Sequence, residues 1–94
     1  MAIPTSITIN GCEITVHHTK HLMRDYGRFG EYSSCEMCIN IDDDMADQKK
    51  ELVFCHEMIE AIDDIYSLSM DHAHIQPIAV AIYDIIKNKR VEFN

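Results

Sequence analysis

The chain has 94 residues, of which 47% are hydrophobic, 26% charged and 7% aromatic, and a formal net charge of −8. That length predicts one domain over residues 1–94, with a radius of gyration of about 12 Å and modest stability unless a metal or a second subunit adds to it. The longest apolar run, Ile78 to Tyr83, is far short of the ~20 residues that a bilayer requires. The opening MAIPTSITING lacks the basic region and long apolar core of a secretory signal, so a soluble, cytoplasmic protein is expected.

The charge is concentrated. Residues 36–64 hold ten acids against Lys49 and Lys50, whereas residues 1–35 and 65–94 are each balanced at three acids and three bases. Direct nucleic-acid binding is disfavoured, because neutralising phosphates needs a basic patch. An acidic middle third suits a cation, a basic protein partner or mimicry of nucleic acid, and a merely solvated acidic face gives the same pattern.

In chain order, Ile7 to Val16 reads as a β-hairpin, with two β-rich runs flanking Asn10-Gly11. Residues 17–31, with His17, His18, His21, Gly27 and Gly30, read as a short helix or loop, and the three histidines as surface positions. Ser33 to Ile41 alternates, with Cys35, Met37, Ile39 and Ile41 on one side, and is expected to be a half-buried strand. Asp42, Asp43 and Asp44 close it and offer a helix N-cap, where negative charge is favourable.

From Ala46 to Tyr66 the period becomes helical, with Leu52, Cys55, Ile59, Ile62 and Tyr66 on one stripe. Leu68 to Asp71 forms a turn. A second helix covers His72 to Asn88, with Ile75, Ile78, Ala79, Ile82, Ile85 and Ile86 facing inward. Pro77 lies beyond the tolerated first turn, so it either kinks this helix or moves its start toward Gln76. The fold class is α+β: a small antiparallel sheet, made of the hairpin plus one strand, packed with the two helices.

Four cysteines, Cys12, Cys35, Cys38 and Cys55, are expected as reduced thiols. Cys35 and Cys38 have zinc-knuckle spacing, but no second pair follows. In a strand, residues three apart point to opposite faces, so one thiol is expected in the core and one at the surface.

The chemistry concentrates in Cys55-His56-Glu57-Met58-Ile59-Glu60. His56 and Glu60, four apart on a helix, stand one above the other, which is how one helix presents two ligands to one metal ion. Glu57 directly follows the first ligand, where a zinc hydrolase places the carboxylate that takes a proton from the attacking water. His72 and His74 lie past the turn, where an antiparallel helix returns one of them as a third ligand. Asp63 and Asp64, one turn beyond Glu60, are candidates for a further ligand or for support of the first three. By itself HExxE also occurs as surface decoration on helices.

HEMIEAID, a short turn, DHAHI and an amphipathic helix resemble the minimal zincin-like proteins of bacteriophages and prophages, relatives of the ImmA/IrrE-type metallopeptidases. The order of a glycine-centred hairpin, a strand ending in Ile41-Asp42, the motif helix and a final helix is similar over about four-fifths of the chain. The resemblance implies His56 as first metal ligand, Glu57 as catalytic base, Glu60 in the second ligand position and His72 as third ligand ahead of His74, with zinc as the metal. It departs from the strict HExxH at Glu60. A carboxylate there shifts preference toward harder ions and weakens the acidification of water, so a degenerate metallopeptidase is one expectation.

Two functions follow. The first is a zincin-like metal-binding protein in which Glu57 serves peptide hydrolysis. The second is a non-enzymatic interaction or inhibitor protein of phage origin that engages a host factor through the 36–64 surface, with Asp42, Asp43, Asp44 and Asp47 as partner contacts. A chain this short is expected to wall a substrate cleft only as a homo-oligomer. A thiol-based zinc module on Cys35 and Cys38 is a third reading.

Overall fold

Asn10 and Gly11 both take positive φ, 49° and 78°. These are the two left-handed residues of a type I′ turn, whose twist matches that of the strands it joins. The strands are β1 (Ser6–Ile9) and β2 (Cys12–Thr19), antiparallel with Ile7 opposite Ile14. The expected hairpin is therefore present in this computed structural model, which describes residues 2–88. Lys89, Arg90 and Glu92, counted in the charge balance, lie outside the described residues.

The stretch after β2 forms the short helix α1 (Leu22–Tyr26), which buries Leu22 and ends at Gly27, φ 74°. The next segment corrects an expectation. Residues 33–41 are not one strand but parts of two, β3 (Gly30–Ser33) and β4 (Cys38–Asp42), paired antiparallel about a turn at 34–37. The alternation read from Ser33 to Ile41 runs straight through that turn, which a count of period two cannot detect. Cys35 lies in the turn and is exposed, whereas Cys38 is buried on β4. One surface and one buried thiol were expected, and the turn rather than strand alternation separates them.

The sheet order is β1-β2-β4-β3. β2 and β4 run parallel, with Val16 beside Ile39 and His18 beside Ile41. The sheet is therefore four-stranded and mixed, where an antiparallel hairpin plus one strand was expected, because the unanticipated β3 turns the chain back before β4. The class is α+β. Ile14, Ile39 and Ile41 are fully buried beneath the helices. β3 is left as an edge strand, and Gly30 and Tyr32 pair with Ile41 and Ile39, placing them on the helix-covered face.

Helix α2 (Asp47–Ile65) starts after Ala46, with no side-chain cap. The aspartates before it are used otherwise. Asp42 is buried and accepts the Asp44 amide, Asp43 pairs with Lys50 at 2.6 Å, and Asp44 receives His21 Nδ1 at 2.6 Å. They tie the β4–α2 connection to its surroundings rather than capping the helix. Phe54, Cys55, Ile59 and Ala61 enter the core, while Tyr66, expected on the same stripe, is half exposed at the helix end.

Helix α3 (His72–Asn88) begins where Asp71 Oδ1 accepts the Ala73 amide at 3.0 Å. It continues through Pro77. The carbonyl that the proline leaves without a helical partner belongs to Ala73, which is exposed to water. Its inner face is Ile75, Ala79 and Tyr83, whereas Ile78, Ile85 and Ile86 are exposed, contrary to the expected stripe. An isoleucine-rich helix has more apolar positions than one packed face can take. The register is decided by Tyr83, whose hydroxyl donates to the buried Glu51 at 3.1 Å, joined there by Lys87 Nζ at 3.1 Å. Burial pushes the Glu51 carboxyl up, but these donors outweigh it and hold it below the usual 4.5.

Candidate metal centre

Along α2, Lys49, Leu52, Val53, His56, Glu57 and Glu60 recur at three and four residues, which puts them on one face beside the buried stripe. That face looks along edge strand β3. The antiparallel return into α3 then sets the N-terminal turn of α3 against the middle of α2. Asp63 makes this return possible, since its Oδ1 accepts the Met70 amide at 2.9 Å while its carbonyl accepts the Leu68 amide at 3.0 Å. Ser67 and Ser69 both adopt positive φ in the same turn.

The outcome is a cluster of three ligand-type side chains. His72 Nδ1 lies 3.1 Å from Glu60 Oε1, and His56 Nε2 lies 3.7 Å from the same oxygen. Ligand atoms of all three fall within 4.8 Å of one another. A tetrahedral zinc with bonds of 2.0–2.1 Å holds its ligand atoms about 3.3 Å apart, and the two spacings to Glu60, 3.1 and 3.7 Å, lie on either side of that value. The rings of His56 and His72 meet edge to face at 5.9 Å between centroids. Glu60 Oε1 is buried and makes no hydrogen bond among the described residues, although a histidine nitrogen is 3.1 Å away. A buried carboxylate oxygen without a donor is costly.

His56 is oriented from behind. Its Nδ1 donates to Gln76 Oε1 at 2.7 Å, which leaves the Nε2 lone pair directed at the cluster. Gln76 lies four residues after His72 on α3, as Glu60 lies four after His56 on α2, so each helix contributes an i,i+4 pair to the centre. Nothing in the HExxE motif marks Gln76, and only its spacing from His72 would have signalled it.

Glu57 is buried, at 8% exposure, between the cluster and β3. Burial, then the nearby carboxylates of Glu60 and Glu31, push its carboxyl up to about 7, opposed by His72. Gly30 makes this position available: a β-carbon there would stand 2.5 Å from Val53 Cγ1 and 3.2 Å from Glu57 Cγ. Tyr32, two residues on, donates its hydroxyl to Asp64 at 2.9 Å and is pushed up to about 12 by burial and by that carboxylate. Two pockets meet at His56 and Glu57. One, of about 290 Å³, is polar and bounded by Arg28, Glu31, Tyr32, Glu60 and His72; the other, of about 250 Å³, contains Phe29, Leu52 and Val53.

Of the expected site residues, His56, Glu60 and His72 are brought together with Glu57 beside them. His74 is exposed and outside the cluster, and Asp63 and Asp64 are occupied with the turn and with Tyr32. Asp42, Asp43 and Asp44 are buried or paired as described above, and Asp47 is exposed in the first turn of α2. His17 and His18 are exposed on β2. Cys12, Cys35, Cys38 and Cys55 form no metal-type cluster among the described residues, and burial pushes the Cys38 and Cys55 thiols up, away from the reactive thiolate. No family model, curated protein or solved structure matches the chain. No helix among the described residues is long and apolar enough to cross a membrane.

Proposed function

We propose that this chain binds a divalent metal, zinc in the first instance, through His56, Glu60 and His72, and that the site hydrolyses peptide bonds with Glu57 as general base. The observation that carries the reading is the buried, undonated Oε1 of Glu60 between two imidazoles. A cation held there would satisfy that oxygen and both nitrogens at once. The departure from HExxH also loses its force here. Moving the carboxylate into the motif and supplying a histidine from α3 still gives two imidazoles and one carboxylate, a donor set of catalytic zinc sites that leave a fourth position open. The zincin-like resemblance of the motif and element order agrees with this reading.

A bound ion supplies Lewis acidity and neutralises the carboxylates around it. The chain's own contribution is the placement of Glu57. Its carboxylate takes a proton from the water that adds to the scissile carbonyl carbon, then returns the proton to the amine as the C–N bond breaks. Burial, then the carboxylates of Glu60 and Glu31, raise this carboxyl, and a cation close by would draw it lower, toward the base form. His56 is kept in one tautomer by Gln76, so the ligand shell is set before substrate arrives.

The test is hydrolysis of a quenched fluorescent peptide library by zinc-loaded protein and by its Glu57→Gln variant. The reading predicts cleavage that falls at least 100-fold in the variant while zinc content stays at wild-type level. Equal cleavage by both proteins, or none by either, removes the peptidase assignment. The alternative of an acidic interaction protein of phage origin gains no specific support, since three of its four proposed contact residues are engaged within the fold.

A further inference from the structure

The pocket on the far side of Glu57 from Glu60 has a chemistry of its own. It is open to solvent through Phe29, which is 40% exposed, and its walls are Leu52 and Val53 from α2. Gly30 and Glu57 also line it, and His56 and Gln76 of the adjoining centre complete the lining. At about 250 Å³ it is smaller than the roughly 300 Å³ at which pockets for whole small molecules begin, and it suits one side chain. Lys49 stands at its mouth with Nζ 4.9 Å from the Phe29 ring centroid. Lys49 is exposed, and among the described residues no carboxylate pairs with it, whereas its neighbour Lys50 is paired with Asp43 at 2.6 Å.

In a region where acids outnumber bases five to one, an ammonium with no carboxylate partner among the described residues, beside a pocket wall of Phe29, Leu52 and Val53, is a marked choice. Apolar wall and cation together match a ligand carrying an apolar side chain next to a carboxylate. We infer that this pocket takes a leucine- or phenylalanine-sized side chain of a peptide, with an adjacent carboxylate on Lys49, and so sets which peptides the site accepts. The inference rests on the proposed function for the position of the cleaved bond, over Glu57, but not for the pocket itself. The carboxylate comes either from the peptide's C-terminus or from an acidic residue following the apolar one. Both present the same group to Lys49 and differ in reach.

The test is a set of titrations followed by backbone amide NMR shifts on the full chain, with and without zinc. The probes are acetyl-Ala-Leu, acetyl-Ala-Gly, acetyl-Ala-Leu-amide and acetyl-Ala-Leu-Asp-amide. Acetyl-Ala-Leu is expected to shift the amides of Gly30, Lys49 and Val53, and to bind at least 5-fold tighter than the glycine probe and the amide. Tight binding of the aspartate probe instead of acetyl-Ala-Leu assigns the carboxylate to a following acidic residue. Lys49→Gln is expected to abolish the preference for a carboxylate while retaining that for leucine, and Phe29→Ser to do the reverse. Zinc content, measured on each variant, separates the two levels of the account. A leucine and carboxylate preference in a chain that takes up no zinc supports the pocket and removes the metal reading. A zinc-loaded chain that binds all four probes equally, or whose preferences survive both substitutions, overturns the pocket assignment.

Discussion

Gln76 on α3 and His56 on α2 are joined by a 2.7 Å hydrogen bond between Oε1 and Nδ1, so the helix that carries His72 also fixes the tautomer of His56. Gln76→Ala is expected to weaken zinc binding about 10-fold without unfolding the chain, in line with the usual effect of losing a partner to a ligating histidine. Competition against a chromophoric chelator measures it, and unchanged affinity would show that His56 is oriented by other means.

His72 and His74 were both candidates in the sequence, and the first turn of α3 decides between them. Only His72 approaches Glu60, at 3.1 Å, while its side chain remains largely exposed. His72→Ala is expected to lower zinc affinity by two orders of magnitude or more, and His74→Ala to leave it within about 2-fold, in the same competition assay. The reverse order would move the third ligand.

Gly30 lets β3 and α2 approach at Glu57. Gly30→Ala places a methyl against Val53, a β-branched residue with little rotamer freedom to yield. A loss of about 1–3 kcal/mol in urea-unfolding stability is expected. Val53→Ala in the same chain removes the clash, and the double variant should recover part of the loss relative to the sum of the two single changes. Strict additivity of the two would mean that the strand and helix separate rather than collide.

The Glu51 site sets an acid limit on stability. Because its folded carboxyl lies below 4.5, the stabilisation it gives is present at neutral pH and above 4.5, and is lost as pH falls through the folded value. Thermal melts between pH 7 and pH 3 should show a decline beginning below about 4.5. Glu51→Gln should flatten that decline and cost about 1–3 kcal/mol at pH 7, since Tyr83 and Lys87 lose a charged acceptor. A wild-type melt that is flat to pH 3 contradicts this assignment.

Much of this molecule is legible in the residues. Asn10-Gly11 admits hardly anything but a tight hairpin, and the apolar stripe around the i,i+4 pair of His56 and Glu60 identifies the motif helix. What escapes is long-range or hidden by composition. The turn at 34–37 has no glycine or proline to mark it and carries Cys35 and Met37 in the rhythm of a strand, so β3 and the parallel pairing of β2 with β4 are lost together. On α3, isoleucine occupies both faces, and its rotation is chosen by Tyr83 reaching Glu51, a contact 32 residues apart that periodicity does not contain. Gly30 and Gln76 are missed for the same reason: each matters only through what the fold places opposite it.

The most direct test of the metal centre is elemental analysis of protein purified without added metal and without a metal-affinity column, beside His56→Ala. The account predicts about one zinc, or one other divalent transition metal, per wild-type chain and at most a tenth of that in the variant, with both chains folded by circular dichroism. A folded wild type that holds no metal and binds none when titrated with zinc would contradict the account at its centre, leaving His56, Glu60 and His72 as an ion-pairing cluster between two helices.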